Sequence, residues 1–172
     1  VPVHFTLEGD PAMTSPQPVP AGMHTVTPHL VCDNAAAAID FYVRAFGATE
    51  VMRLPGSEGR ILHAQVRIGD SAVMIVDAHP EWFMRDPNSY GGTPVVLHLQ
   101  VPDVDALFAQ AVAAGATAQM APEDMFWGDR YCRVLDPNGH VWAIATHVRD
   151  VSPEELLAAS ANPCPESVTK ET

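Results

Sequence analysis

The chain carries an approximate copy of itself, and that constrains its fold more than any other feature. HLVCDNAAAAIDFYVRAFGA, from His29 to Ala48, aligns with HLQVPDVDALFAQAVAAGA, from His98 to Ala116, once one residue is skipped near the turn into the helix. Whatever unit the first copy forms, the second should form again, and the core must come from packing the two together. Each copy reads as an apolar strand, a turn with Asp, a helix with apolar residues at helical spacing, and a Gly-Ala stop. The predicted buried stripe is Ala38, Ile39, Tyr42 and Phe46 in the first helix, capped by Gly47. In the second helix it is Leu107, Phe108, Ala111 and Val112, capped by Gly115. Three short strand-like runs follow each helix: about 49–54, 61–68 and 72–77, then about 117–121, 130–135 and 140–146. Gly69-Asp70 and Asp136-Pro137-Asn138-Gly139 read as the turns joining the last two runs of each set. The formula is βαβββ twice. It predicts an α+β domain in which two modules pack side by side as a curved mixed sheet around a cleft.

The organisation expected from composition shifts is a Pro-rich disordered tail over 1–22, a first module over 23–78 and a linker over 79–94. A second module over 95–147 and a short helix with a tail over 148–172 complete it. Ser152-Pro153-Glu154-Glu155 is a capping-box start for that last helix. No apolar run approaches the ~20 residues of a membrane span, and the N-terminus lacks the basic-then-apolar order of a signal peptide. These features predict a cytoplasmic protein with no membrane partner. Nine basic against 21 acidic side chains leave a formal charge of −12, which repels phosphate backbones and predicts no nucleic-acid partner. The single lysine, Lys170, lies in the tail, which removes Schiff-base and P-loop chemistry from the folded part. Cys32, Cys132 and Cys164 lack CxxC spacing and argue against a disulfide framework or zinc ribbon. Cys32 and Cys132 read as small core residues.

Beyond this point the residues resemble a known family. The doubled βαβββ order, IDFY…FGA in the first helix and DPNGHVWAIATH at the end are similar to the vicinal oxygen chelate, or glyoxalase/bleomycin-resistance, superfamily. FWGDRY, from Phe126 to Tyr131, followed by that ending resembles its PhnB-like branch. The resemblance covers about Met23 to His147. It implies the fold, and it leaves the reaction open among lyases, isomerases, ring-cleaving dioxygenases and drug-sequestering proteins.

Strand alternation indicates which side chains meet the cleft. On 61–68 the set Leu62, Ala64, Val66 and Ile68 should face the helix, leaving His63, Gln65 and Arg67 in the cleft. The same logic points Val96, His98 and Gln100 inward, as well as Ala143, Ala145 and His147, and repeat symmetry with His98 adds His29. Convergence of His29, His63, His98 and His147 is one expectation, since imidazoles are common metal ligands and general bases. The other is that each ring is hydrogen-bonded locally in a half-polar interior. His24, His79 and His140 read as solvated, and DPNG as no more than a turn.

The resemblance implies a metal ligand on the first and last strand of each module. The position four after Gly139 is Ala143, the first module offers Met74 or Ile75, and the first-strand positions fall near Val26 or Thr27 and near Val96. None is a good ligand, so no metal cofactor is expected; a displaced divalent site on His29, His63 and His98 is the alternative. The resemblance also places Trp127 and Arg130 at the mouth of the pocket, on a loop from Pro122 to Tyr131 suited to closing over a ligand. Alternatively, Phe126 and Trp127 plug the barrel end while Asp129 and Arg130 form a surface ion pair.

Two functions fit. One is a protein binding a small polar or planar molecule in a metal-free cleft lined by His29, His63, Gln65, His98, Trp127, Arg130 and His147, with drug sequestration included; the acidic balance would suit cationic drugs. The other is a lyase or isomerase with His63 as general base and Arg130 or His98 stabilising the oxyanion. Edge strands and an open cleft predict a homodimer, in keeping with the superfamily's habit.

Overall fold

The computed structural model describes residues 18–160. Residues 1–17 and 161–172, which hold most of the expected tails with Cys164 and Lys170, lie outside the described residues. The order is β1 (His29–Cys32), α1 (Ala35–Phe46), β2 (Thr49–Pro55), β3 (Ile61–Ile68), β4 (Ser71–Asp77), β5 (Val96–Gln100), α2 (Val104–Ala114), β6 (Thr117–Asp124), β7 (Asp129–Leu135), β8 (Val141–His147) and α3 (Pro153–Ser160). Short 3-10 turns at Pro80–Trp82 and Pro87–Tyr90 occupy the linker. Among the described residues no helix is long and apolar enough to cross a membrane.

The repeat builds two four-stranded mixed sheets, ordered β1-β4-β3-β2 and β5-β8-β7-β6. In each, the first strand runs parallel to the last and the remaining neighbours are antiparallel. The expected α+β fold of two βαβββ modules is thus present, one sheet to each module; β1 and β5 are both edge strands, and among the described residues no strand pairing joins the modules.

The same local chemistry starts and stops the two helices. Asn34 and Asp103 accept from the backbone N–H groups of Ala37 and Ala106, and Gly47 and Gly115 end the helices at positive φ, where a Cβ would be strained. Ala38, Ile39, Tyr42 and Phe46 are buried as expected. In α2 only part of the stripe is covered. Ala111 is buried, whereas Leu107 and Phe108 are half-buried and Val112 is exposed.

One core joins the modules. The helix-facing residues of the first sheet (Leu30, Ala64, Val66, Ile75) and of the second (Cys132, Val134, Trp142, Ile144) belong to a single cluster around α1. The Trp142 ring sits 4.8 Å from Phe46 and 5.4 Å from Tyr42, centroid to centroid.

A buried polar knot locks this joint and corrects the reading of DPNG as a mere turn. Asp136 accepts from Tyr42 Oη at 2.7 Å, Trp142 Nε1 at 3.1 Å, and the backbone N–H groups of Asn138 and His140, both at 2.9 Å. The backbone N–H of Asp33 donates to Asn138 Oδ1, and His140 Nε2 lies 3.1 Å from the Val31 carbonyl oxygen. His140, expected to be solvated, is therefore buried, because its ring bridges back to the first module. His79 is also mostly covered, stacked on Trp82 with centroids 4.5 Å apart.

Candidate functional site

The face of each sheet opposite its helix is built by the alternate residues of every strand, and the pairing register shows which side chains share a row. On the first sheet, His29 pairs with Met74, Met74 with Gln65, and Gln65 with Met52. Neighbouring rows bring His63 beside Leu54, and Arg67 between Ala72 and Thr49. His63, Gln65 and Arg67 are thus on the open face as expected. Leu62 is not on the core side: it is 40% exposed while Ile61 is 3% exposed. A register shift between Leu54 and Pro55 pairs Pro55 with Ile61, and the backbone N–H of Ile61 donates to buried Asp77, which turns the strand's first residue inward.

On the second sheet the rows run His98, Ala143, Arg133, Met120 and Gln100, Ala145, Tyr131, Glu123. The central strand contributes only methyl groups here, and both are fully covered. The longer side chains on either side, His98 and Gln100 from β5 and Tyr131 and Arg133 from β7, flank this low strip. His98 and Tyr131 lie nearly parallel, centroids 6.3 Å apart, and His98 Nε2 is 3.2 Å from Gln100 Oε1. Trp127 meets Tyr131 edge-on at 5.7 Å and Phe126 at 5.1 Å.

The four histidines do not form one group. His29 and His63 are together, centroids 5.9 Å apart at 78°; burial and the neighbouring His63 lower the pKa of His29, which favours its neutral form. His98 stands on the other sheet, against Tyr131. His147 lies at the end of β8, with Nδ1 2.9 Å from Asp129 and Nε2 2.9 Å from Asp150, and these two carboxylates raise its pKa.

Arg130 departs from its expected place at the pocket mouth. It alternates with Tyr131 and so points to the helix side, where it forms a two-pronged pair with Asp105 at the start of α2 (2.6 and 2.7 Å) and a third contact with Asp124. The ion pair imagined between Asp129 and Arg130 is replaced as well: Asp129 accepts from Trp127 Nε1 at 3.1 Å and contacts His147. Nor is 122–131 a long closing loop. β6 extends to Asp124 and β7 begins at Asp129, so only a tight turn remains. In it the Met125 N–H donates to the Asp129 carbonyl oxygen and the Gly128 N–H to that of Met125.

The metal positions implied by the sequence resemblance do not fit a divalent ion. Met74 and Ala143 occupy the rows of His29 and His98; a thioether is a soft ligand and a methyl group is none. Among the described residues no group of three His, Cys, Asp or Glu side chains could hold a metal. Burial raises the pKa of both core thiols, that of Cys132 to about 11, which leaves them poor nucleophiles.

Sequence reasoning passed over Tyr131, which lies next to the Arg130 it selected, and gave Arg67 no role. Alternation marks both, since Tyr131 shares the parity of Arg133 and Arg67 that of His63.

These features agree with comparisons to known proteins. The profile of the Glyoxalase/Bleomycin resistance protein/Dioxygenase superfamily matches residues 22–144, and the chain belongs to that superfamily. It is 49% identical over 140 residues to uncharacterized protein Rv0887c of Mycobacterium tuberculosis, covering 80% of this chain and 82% of that protein. Among solved structures it is similar to TioX from Micromonospora sp. ML1, at 27% identity and a TM-score of 0.56, covering 72% of this chain and 98% of the other. A PhnB protein from Bacillus cereus shares the fold, at 18% identity and a TM-score of 0.56, over 72% and 99% of the two chains.

Proposed function

We propose that this protein binds a small organic molecule with a planar part on the open faces of its sheets, without a metal, and that it stands in the PhnB-like branch of its superfamily. The observation that carries the reading is the aromatic and polar cluster on the open face of the second sheet, formed by His98, Gln100, Tyr131 and Arg133 around Ala143 and Ala145 and extended by Trp127. A flat ring can stack on an exposed aromatic or imidazole face, and a few fixed polar groups orient it. The open faces and their rims also expose large apolar side chains, among them Met52, Leu54 and Val96. A homodimer would cover these with a second copy, in the commonest closed symmetry. FWGDRY followed by the DPNGHVWAIATH ending supports the branch.

Three measurements test this. Light scattering should give a dimer at micromolar concentration. A panel of planar heterocycles should raise the melting temperature saturably, and Tyr131→Ala should abolish that rise. Untagged protein should contain well under one equivalent of Zn, Ni, Mn or Fe, with no change in melting on chelation. Stoichiometric metal lost in His29→Ala or His98→Ala would refute the metal-free reading.

A second reading, a lyase or isomerase acting on a carbon acid, draws on the His29–His63 pair. Partial burial and the neighbouring His63 lower the pKa of His29, and a neutral imidazole beside a second ring is suited to moving a proton. If His63→Ala leaves every turnover unchanged, His63 has no such role.

A further inference from the structure

We infer that the open face of the first sheet receives an anionic group, a carboxylate, phosphonate or phosphate, carried by the small molecule, with Arg67 as its cation, while Gln65, His63 and His29 offer donors to the rest of that molecule. The inference rests on the cleft reading above and adds the charge of the ligand. In a chain of net charge −12, the overall balance points to cations, but the distribution on this face points the other way.

β1 to β4 carry only two carboxylates, Glu50 and Asp77, and both are occupied on the opposite side. Glu50 pairs with the buried-side residue Val66 and is held by both nitrogens of Arg53, at 2.8 and 2.9 Å. Asp77 is buried and accepts from the backbone N–H groups of Ala35, at 2.6 Å, and Ile61. The open face holds His29 and Val31 from β1, His63, Gln65 and Arg67 from β3, Ala72, Met74 and Val76 from β4, and Met52 and Leu54 from β2. Every polar side chain in the central rows can donate, and none carries a negative charge.

Arg67 has no carboxylate partner among the described residues, whereas Arg53 and Arg149 each have one and Arg130 has two. Its guanidinium lies against Gly22, so close that a Cβ there would come within 2.8 Å of Nη2. The chain entering β1 thus covers one side of the guanidinium with backbone alone, and Arg67 remains half-buried. Ala72 beside Arg67 keeps that end of the face low. At a rise of about 3.3 Å per residue, Arg67 and His63 stand about 13 Å apart along β3, which spans a drug-sized molecule. A guanidinium offers two parallel N–H groups to a carboxylate or phosphonate, a geometry that amides and amines cannot use.

The test uses the full chain at low salt and four naphthalene derivatives that differ only in the head group: carboxylate, phosphonate, carboxamide and methylamine. Calorimetric titration should show the two anions binding at least about tenfold more tightly than the carboxamide, with the amine weakest. Arg67→Gln should remove that preference and leave carboxamide binding unchanged, while Arg133→Gln should preserve it. The ratio of carboxylate to phosphonate affinity then identifies which anion the face prefers. Equal binding of carboxamide and anions, tighter binding of the amine, or an anion preference that survives Arg67→Gln would overturn the assignment and leave the cleft reading intact. Loss of the preference in Arg133→Gln alone would move the anion to the second sheet and overturn it too. Failure of all four to bind at millimolar concentration would overturn both.

Discussion

Removing one hydroxyl group from the joint between the modules should loosen the whole molecule. Tyr42 and Asp136 are 94 positions apart, both buried, and joined by a 2.7 Å hydrogen bond from Oη to Oδ2. A bond to a charged acceptor contributes about 1.5–3 kcal/mol. Asp136 keeps three other donors, so the carboxylate is not orphaned in Tyr42→Phe and the loss should stay near 2 kcal/mol. For a domain of this size that corresponds to a fall of about 4–8 °C in Tm. Urea unfolding should show a lower midpoint at an unchanged slope, because the same surface is exposed. Asp136→Asn loses the charge at all four contacts and should cost more. In a double-mutant cycle the two changes should couple by about 1 kcal/mol or more, since each removes the other's partner. A loss below about 0.5 kcal/mol in Tyr42→Phe, the range of ordinary surface changes, would refute the view that this bond locks the modules.

Gly128→Ala should destabilise strongly, because a Cβ would lie 2.0 Å from the Arg149 carbonyl oxygen at a φ of +100°; a melting curve matching the parent would contradict this. NMR titration should place the pKa of His147 above 6.5, and Asp129→Asn should lower it. Because the folded value is raised, the stability His147 contributes is fully present below pH 6.5 and lost as pH rises through the folded pKa. A pH-independent contribution, measured against His147→Gln, would refute that linkage. In a Cys164→Ser background, a thiol reagent at neutral pH should leave Cys32 and Cys132 unmodified until denaturant is added, since both are fully buried with raised pKa values. Labelling of the native protein at the rate of a free thiol would overturn it.

The repeat made the architecture legible because a strand, a capped helix and three more strands are each set by local signals. Period-two alternation in β3 and β8 then placed His63, Gln65 and Ala143 on the right face without any tertiary information. In β7 the resemblance places Arg130 at the pocket mouth, whereas its parity with buried Cys132 and Val134 assigns it to the helix side. What could not be read from the sequence was long-range. Nothing local in DPNGH says that its Asp will accept from a tyrosine in the first helix, or that its His will reach the carbonyl of Val31. The same holds for His147, whose partners Asp129 and Asp150 come from another strand and from the chain beyond β8.

Two substitution patterns in the central rows bear jointly on function. Met74 and Ala143 occupy equivalent places, each on the last strand of its module and each paired with the histidine of the first strand. A carboxylate at either place would give that histidine an anionic neighbour, raise its proton affinity and provide half of a metal shell. With a thioether and a methyl group there, both imidazoles have uncharged neighbours in their rows. The want of a hard chelating side chain at these two places and the uncharged, donor-rich surface around them are therefore one structural feature. It favours recognition of a ligand's shape and of its acceptor groups over activation of the ligand by a Lewis acid. Arg67 and Arg133 are then the permanent charges closest to these rows without a carboxylate partner among the described residues, and the two arginine substitutions paired above separate their contributions.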